Sequence, residues 1–234
     1  MVSCKFVGVE NIDAVKDLIF SGKNEFVYDK TREGEELKIY VDSTEKNKYG
    51  FLSKCYIDYI VNLYNRTRGN FQVVVSESFE IQLYVNEQPP LLAIFAPKNL
   101  AQKILYPIRS KTQLITIIFD LSGKYEKIKS HPAFQDVKQL KLSNIADPYL
   151  EKAAFYGRKI TYSPIVETIA VSIGAKFNAL AIVYRNIWVL VTADARMFTP
   201  IPARKLPGTK PGFFLDLYKE LKKIDAVKYQ QPLY

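Results

Sequence analysis

The order of apolar and polar positions predicts a chain of alternating strands and helices. Phe79, Ile81, Leu83 and Val85 alternate with Glu80, Gln82 and Tyr84, a period of two that belongs to a half-buried strand. Phe71–Val75 reads as a separate strand before it, and Leu91–Ala96 as one after the Pro89-Pro90 turn. Val2–Val9 is a strand. Leu114–Phe119 is a continuous apolar run, as in a central strand covered on both faces. Leu52, Tyr56, Tyr59, Ile60 and Leu63 recur at three and four, which predicts a helix over Tyr49–Asn65. Asn11 caps a short helix Ile12–Phe20, and Asn24–Asp29 with Leu37–Asp42 forms a charged hairpin. Pro97 opens a helix to Tyr106.

Asp147-Pro148 and Ser163-Pro164 each pair a cap with a first-turn proline. They predict helices closed by Gly157 and Gly174. Leu180–Tyr184, Ile187–Thr192 and Arg196–Ile201 follow as three strands joined by tight turns, then helix Phe213–Ile224 and a tail. The expected fold class is therefore α+β or mixed α/β in two lobes. The C-terminal lobe is a three-stranded antiparallel meander followed by a helix. The expected division is a neutral lobe 1–120, a polar connecting stretch 121–144 and a basic lobe 145–234 that includes the tail.

Charge sharpens that division. The 234 residues carry 33 Lys+Arg against 24 Asp+Glu, a net +9. Residues 1–120 balance at 15 each, so residues 121–234 hold the whole excess. Between 152 and 210, nine cations face only Glu167 and Asp194. A one-sided basic field selects a polyanionic partner. Apolar residues at 48% and charged residues at 24% exclude disorder, collagen and coiled coil as the main architecture. The most apolar region, Pro164–Ala193, is interrupted by Glu167, Lys176 and Arg185, so no membrane span is expected. Val2–Val9 is too short and too broken by Lys5 for a cleavable signal.

Candidate chemistry is sparse. Cys4 and Cys55 are two thiols, and His131 is the sole histidine, so neither a disulfide framework nor a zinc site can be assembled. They suit buried thiols in a reducing, cytoplasmic compartment. Leu121-Ser122-Gly123-Lys124 lacks the first glycine and the Ser/Thr of a phosphate loop and reads as a turn. No Gly-x-Ser-x-Gly elbow occurs. For magnesium-dependent phosphodiester hydrolysis the candidates are Asp120, Glu77, Glu80 and Asp194. Asp29 with Glu36-Leu37-Lys38 imitates a nuclease pattern on an ordinary charged hairpin. The element order from Leu180 to Ile224 is similar to the opening of a ribonuclease-H-like fold. Its first strand, Leu180–Tyr184, lacks the carboxylate such a nuclease needs.

The expected function is that of a non-catalytic nucleic-acid-binding accessory subunit of a larger processing, repair or defence complex. The alternatives are a metal-dependent nuclease and a structural or virion subunit working through protein contacts. DNA or RNA is expected on the C-terminal half, a protein partner elsewhere, and no cofactor or metal. The binding residues expected are Arg158, Lys159, Tyr162, Arg185, Arg196, Arg204, Lys205 and Lys210. The cations neutralise phosphates, and neighbouring rings stack on bases. Taken one at a time, Tyr156, Trp188 and Phe198 read as core.

Overall fold

A computed structural model of the chain describes residues 1–22, 24–67, 69–143, 145, 151–158, 160–169 and 175–230. The predicted caps Asp147-Pro148, the stop Gly174, the candidate Lys159 and the last four residues of the tail lie outside the described residues. Half of the described residues are in strands and a quarter in helices. Among the described residues no helix is long and apolar enough to cross a membrane.

The thirteen strands are β1 (Val2–Val9), β2 (Asn24–Lys30), β3 (Glu36–Asn47), β4 (Gly50–Asn65), β5 (Gly69–Tyr84), β6 (Leu91–Phe95), β7 (Leu114–Phe119), β8 (Phe134–Ser143), β9 (Lys152–Tyr156), β10 (Lys176–Tyr184), β11 (Ile187–Thr192), β12 (Arg196–Thr199) and β13 (Val227–Gln230). The α-helices are α1 (Ile12–Val15), α2 (Lys98–Lys111), α3 (Tyr125–Ser130), α4 (Pro164–Glu167) and α5 (Lys210–Lys223). A π-turn, Lys16–Phe20, extends α1.

This overturns the expected α+β or mixed α/β architecture. The protein is mostly a large antiparallel sheet with few short helices. Nor does it finish on a helix, because β13 follows α5 and pairs with β7 from Val227↔Phe119 to Gln230↔Thr116. The largest single correction is Tyr49–Asn65. It is not a helix: all of it but Tyr49 is β4, paired with β5 without interruption from Gly50↔Tyr84 to Asn65↔Gly69. Ser53, Cys55 and Ile57 are buried at a spacing of two, and Asp58 after them is buried as well, a strand signal that the helical spacing of other apolar residues obscured. Phe71–Val75 and Phe79–Val85 are not two strands but one, because β4 offers a partner along the whole length. Gly50 begins β4 at φ +138°, where a Cβ would stand 2.2 Å from the Leu83 carbonyl oxygen. Lys152–Tyr156, inside the segment predicted as helix, is strand β9.

Two compact units divide the chain, one of Gly8–Leu114 and the other of Met1–Val7 with Ile115–Tyr234. Strand order in the first is β2-β3-β4-β5-β6. Its core includes Phe26, Ile39, Ile57, Ile81, Leu92 and Ile104, each at most 7% exposed. Strand order in the second is β1-β12-β11-β10-β8-β9, with β7 also on β1 and β13 on β7. The stretch 121–144 holds α3 and β8 in this unit.

In the second unit one sheet face carries Cys4, Phe6, Leu180, Ile182, Val189, Val191 and Met197, all at most 1% exposed. Helix α5 lies on this face. Tyr218 meets Phe6 at 5.1 Å between ring centroids, and Phe213 meets Tyr184 at 5.6 Å. Tyr125 of α3 stacks on Phe177 at 4.5 Å. Thr209 caps α5 by accepting from the Gly212 N–H at 3.2 Å.

Candidate nucleic-acid interface

Strand residues alternate between faces, so the partners of the buried side chains point the other way. On β11, Trp188, Leu190 and Thr192 are half-buried while Val189 and Val191 are buried. Register then fixes what lies beside what across six strands. One row reads Tyr156, Gln139, Ala181, Leu190, Phe198, Ser3. The next reads Ala154, Lys141, Ala179, Thr192, Arg196, Lys5. Beyond it, Ser143 stands between Lys152 and Lys176. Directly opposite side chains start about 5 Å apart, and successive rows are about 7 Å apart.

These fifteen positions hold five cations and no carboxylate. Lys141, Lys152 and Lys176 are exposed, and Tyr156 is 70% exposed. Trp188 packs edge-on against Phe198 at 6.3 Å, leaving both rings half-buried. Between Tyr156 and the Trp188–Phe198 pair the side chains are small: Ala154 is exposed, while Ala179 and Ala181 are at most 4% exposed and Gln139 and Ser143 at most 8%. Arg196 is 6% exposed. Its Nη2 reaches Asp194 Oδ2 at 3.0 Å, while Nε and Nη1 are buried with no hydrogen-bond partner among the described residues. Lys5, also buried, donates to the Asp194 carbonyl. Asp194 thus compensates part of two buried cations from the β11–β12 turn, and Thr192 Oγ1 holds its carboxylate.

Of the residues expected from sequence, only Arg196 falls in these rows. Arg158 is exposed just past the end of β9. Tyr162 is exposed, with Lys129 Nζ 5.1 Å above its ring. Arg185 sits in the β10–β11 turn at φ 49°, bound to Asp216 of α5 at 2.9 Å and lying 5.1 Å from the Tyr184 ring centroid. Arg204 and Lys205 are exposed on a 3-10 turn, Ala203–Lys205. Lys210 opens α5, on the helix-covered side. Burial pushes the Cys4 thiol up, and nearby Lys210 and Lys5 oppose that shift. Lys141, Lys152 and Lys176 were missed as a group. Gln139-Leu140-Lys141-Leu142-Ser143 alternates cleanly, and that signal would have found β8.

The candidate carboxylates are individually engaged. Asp120 accepts from Lys228 Nζ at 2.6 Å and from the Gly123 N–H at 2.8 Å. Lys228, partly opposed by burial and helped by Gly123, holds its carboxyl below the usual range. Glu77 accepts from Tyr59 Oη at 2.9 Å. Glu36 and Glu25 both pair with Lys38, as in an ordinary charged hairpin. His131 Nε2 is 3.5 Å from Glu220. Among the described residues no three His, Cys, Asp or Glu side chains gather as a metal-ligand cluster. No family model matches the chain. No curated protein matches it significantly.

Proposed function

We propose that the chain is a non-catalytic nucleic-acid-binding subunit that takes single-stranded DNA or RNA on the face of the second unit's sheet opposite helix α5. The observation that carries this reading is the adjacency of a row containing Tyr156, Leu190 and Phe198 to cationic rows free of carboxylates. Unpaired bases stack on exposed rings of an open sheet, and lysines beside them neutralise the backbone. Duplex bases are already stacked on one another, so a sheet platform favours single strands. An accessory place in a larger processing, repair or defence complex completes the proposal, with catalysis on a partner chain. The free, buried thiols Cys4 and Cys55 suit a reducing cytoplasm.

Fluorescence anisotropy with labelled single- and double-stranded oligonucleotides tests the reading. With three or four phosphates neutralised on a single strand, log K should fall against log salt with a slope of about −2 to −3. Absence of binding at low salt, or a salt-independent affinity, removes the proposal.

A further inference from the structure

The paired strands β4 and β5 outrun their neighbours. β3 covers β4 only as far as Ile57, and β6 covers β5 only from Glu80 onward. Among the described residues the edge Gly69–Phe79 of β5 therefore has no strand on its outer side. Natural sheets guard such an edge with lysine, proline or a bulge. This stretch has no lysine or proline, and its pairing with β4 shows no register shift. Its one charge, Glu77, is held by Tyr59.

One face of the ribbon is apolar. Val61 lies opposite Val73 and Leu63 opposite Phe71, with Leu63 43% and Phe71 39% exposed. Such a two-stranded ribbon is marginal in water without further partners.

We propose that two copies of the chain pair antiparallel along this edge, about a two-fold axis at Val73. The sequence is self-complementary in that register. Phe71 meets Val75 of the partner subunit, Gln72 meets Val74 of the partner subunit, and the apolar face continues across the seam. Gly69 then lies against Glu77 of the partner subunit. This brings Arg66, exposed in the adjoining turn, to that carboxylate, and symmetry repeats the contact. No carboxylate occurs from Tyr59 to Ser76, so the turn is purely cationic and its charge complement is the base of the opposite edge. This pairing is independent of the nucleic-acid reading.

The test uses the full chain. Sedimentation equilibrium on the nucleic-acid-free protein should show mass rising with concentration toward twice 26.9 kDa, and Val73→Lys should return it to 26.9 kDa. Under mild oxidation Val73→Cys should give a cross-linked dimer, because the axis places that residue opposite itself, while Asn62→Cys on β4 should not. Cys4 and Cys55 are buried and do not interfere. A wild type that stays monomeric at every concentration overturns the proposal. So does a dimer that survives Val73→Lys without cross-linking through Val73→Cys, or association that requires an added oligonucleotide.

Discussion

The two faces of the second unit's sheet are built from the same strands and differ in burial and chemistry. One face presents Phe6, Ile182, Val191 and Met197 to the helix-covered core, at most 1% exposed. The other presents Lys141, Trp188, Leu190 and Phe198 from the same strands or their direct neighbours, exposed or half-buried. A period of two separates a stabilising surface from a chemically furnished one, one residue apart. Substitutions on the first face should cost folding, and substitutions on the second should cost binding.

The largest effect belongs to the covered face. Ile182→Ala removes a fully buried side chain and should cost about 2–5 kcal/mol of stability, read by denaturant unfolding. Oligonucleotide affinity, measured where the variant is still folded, should be unchanged. On the opposite face, combining Lys141→Glu, Lys152→Glu and Lys176→Glu should lower single-strand affinity roughly 10- to 100-fold and flatten the salt slope by about 2. Its melting temperature should barely move, since surface changes usually stay within about 0.5 kcal/mol each. The matched triple Lys16→Glu, Lys46→Glu and Lys48→Glu changes net charge equally and should have a much smaller effect, because none of the three belongs to the rows proposed to meet phosphate. Equal losses from both triples would reduce the basic face to a composition effect. Trp188→Ala should weaken binding roughly 5- to 100-fold through a lost stacking surface, about 1–3 kcal/mol per base.

The smallest effect is on pH. Lys228 depresses the Asp120 carboxyl, so their pairing favours the folded state above the ordinary aspartate range near 4. That contribution is lost as pH falls through the lowered native value. Lys228 is 59% exposed, which limits the worth of the pair to about 0.5–1 kcal/mol. Asp120→Asn should remove it at neutral pH and make the acid limb of the stability profile shallower.

Local pattern located elements whose partners are near in sequence. β10, β11 and β12 pair in succession through short turns, and their alternation is plain in Trp188-Val189-Leu190-Val191-Thr192. It failed where pairing decides. Tyr49–Asn65 offers apolar residues at both helical and strand spacing, and sixteen rungs with β5 select the strand. Lysine-rich 121–144 hid β8, whose Leu140 and Leu142 are buried against β10. The site was less legible still. Lys5 stands beside Arg196 only because β1 pairs with β12 across nearly the whole chain. Lys141, Lys152 and Lys176 converge through two different strand pairings. Counting cations in a window located the half of the chain that carries them but not the face.

Photocrosslinking tests the central claim most directly. A single-stranded oligonucleotide bound to the full protein is irradiated, and the attached peptides are mapped by mass spectrometry. The account predicts adducts on Tyr156, Trp188 and Phe198, from three different strands of one sheet face. They should be lost together when Lys141, Lys152 and Lys176 are reversed in charge. Adducts confined to α3, α5 or the Arg204–Lys210 loop, with those three rings unmodified, would contradict it.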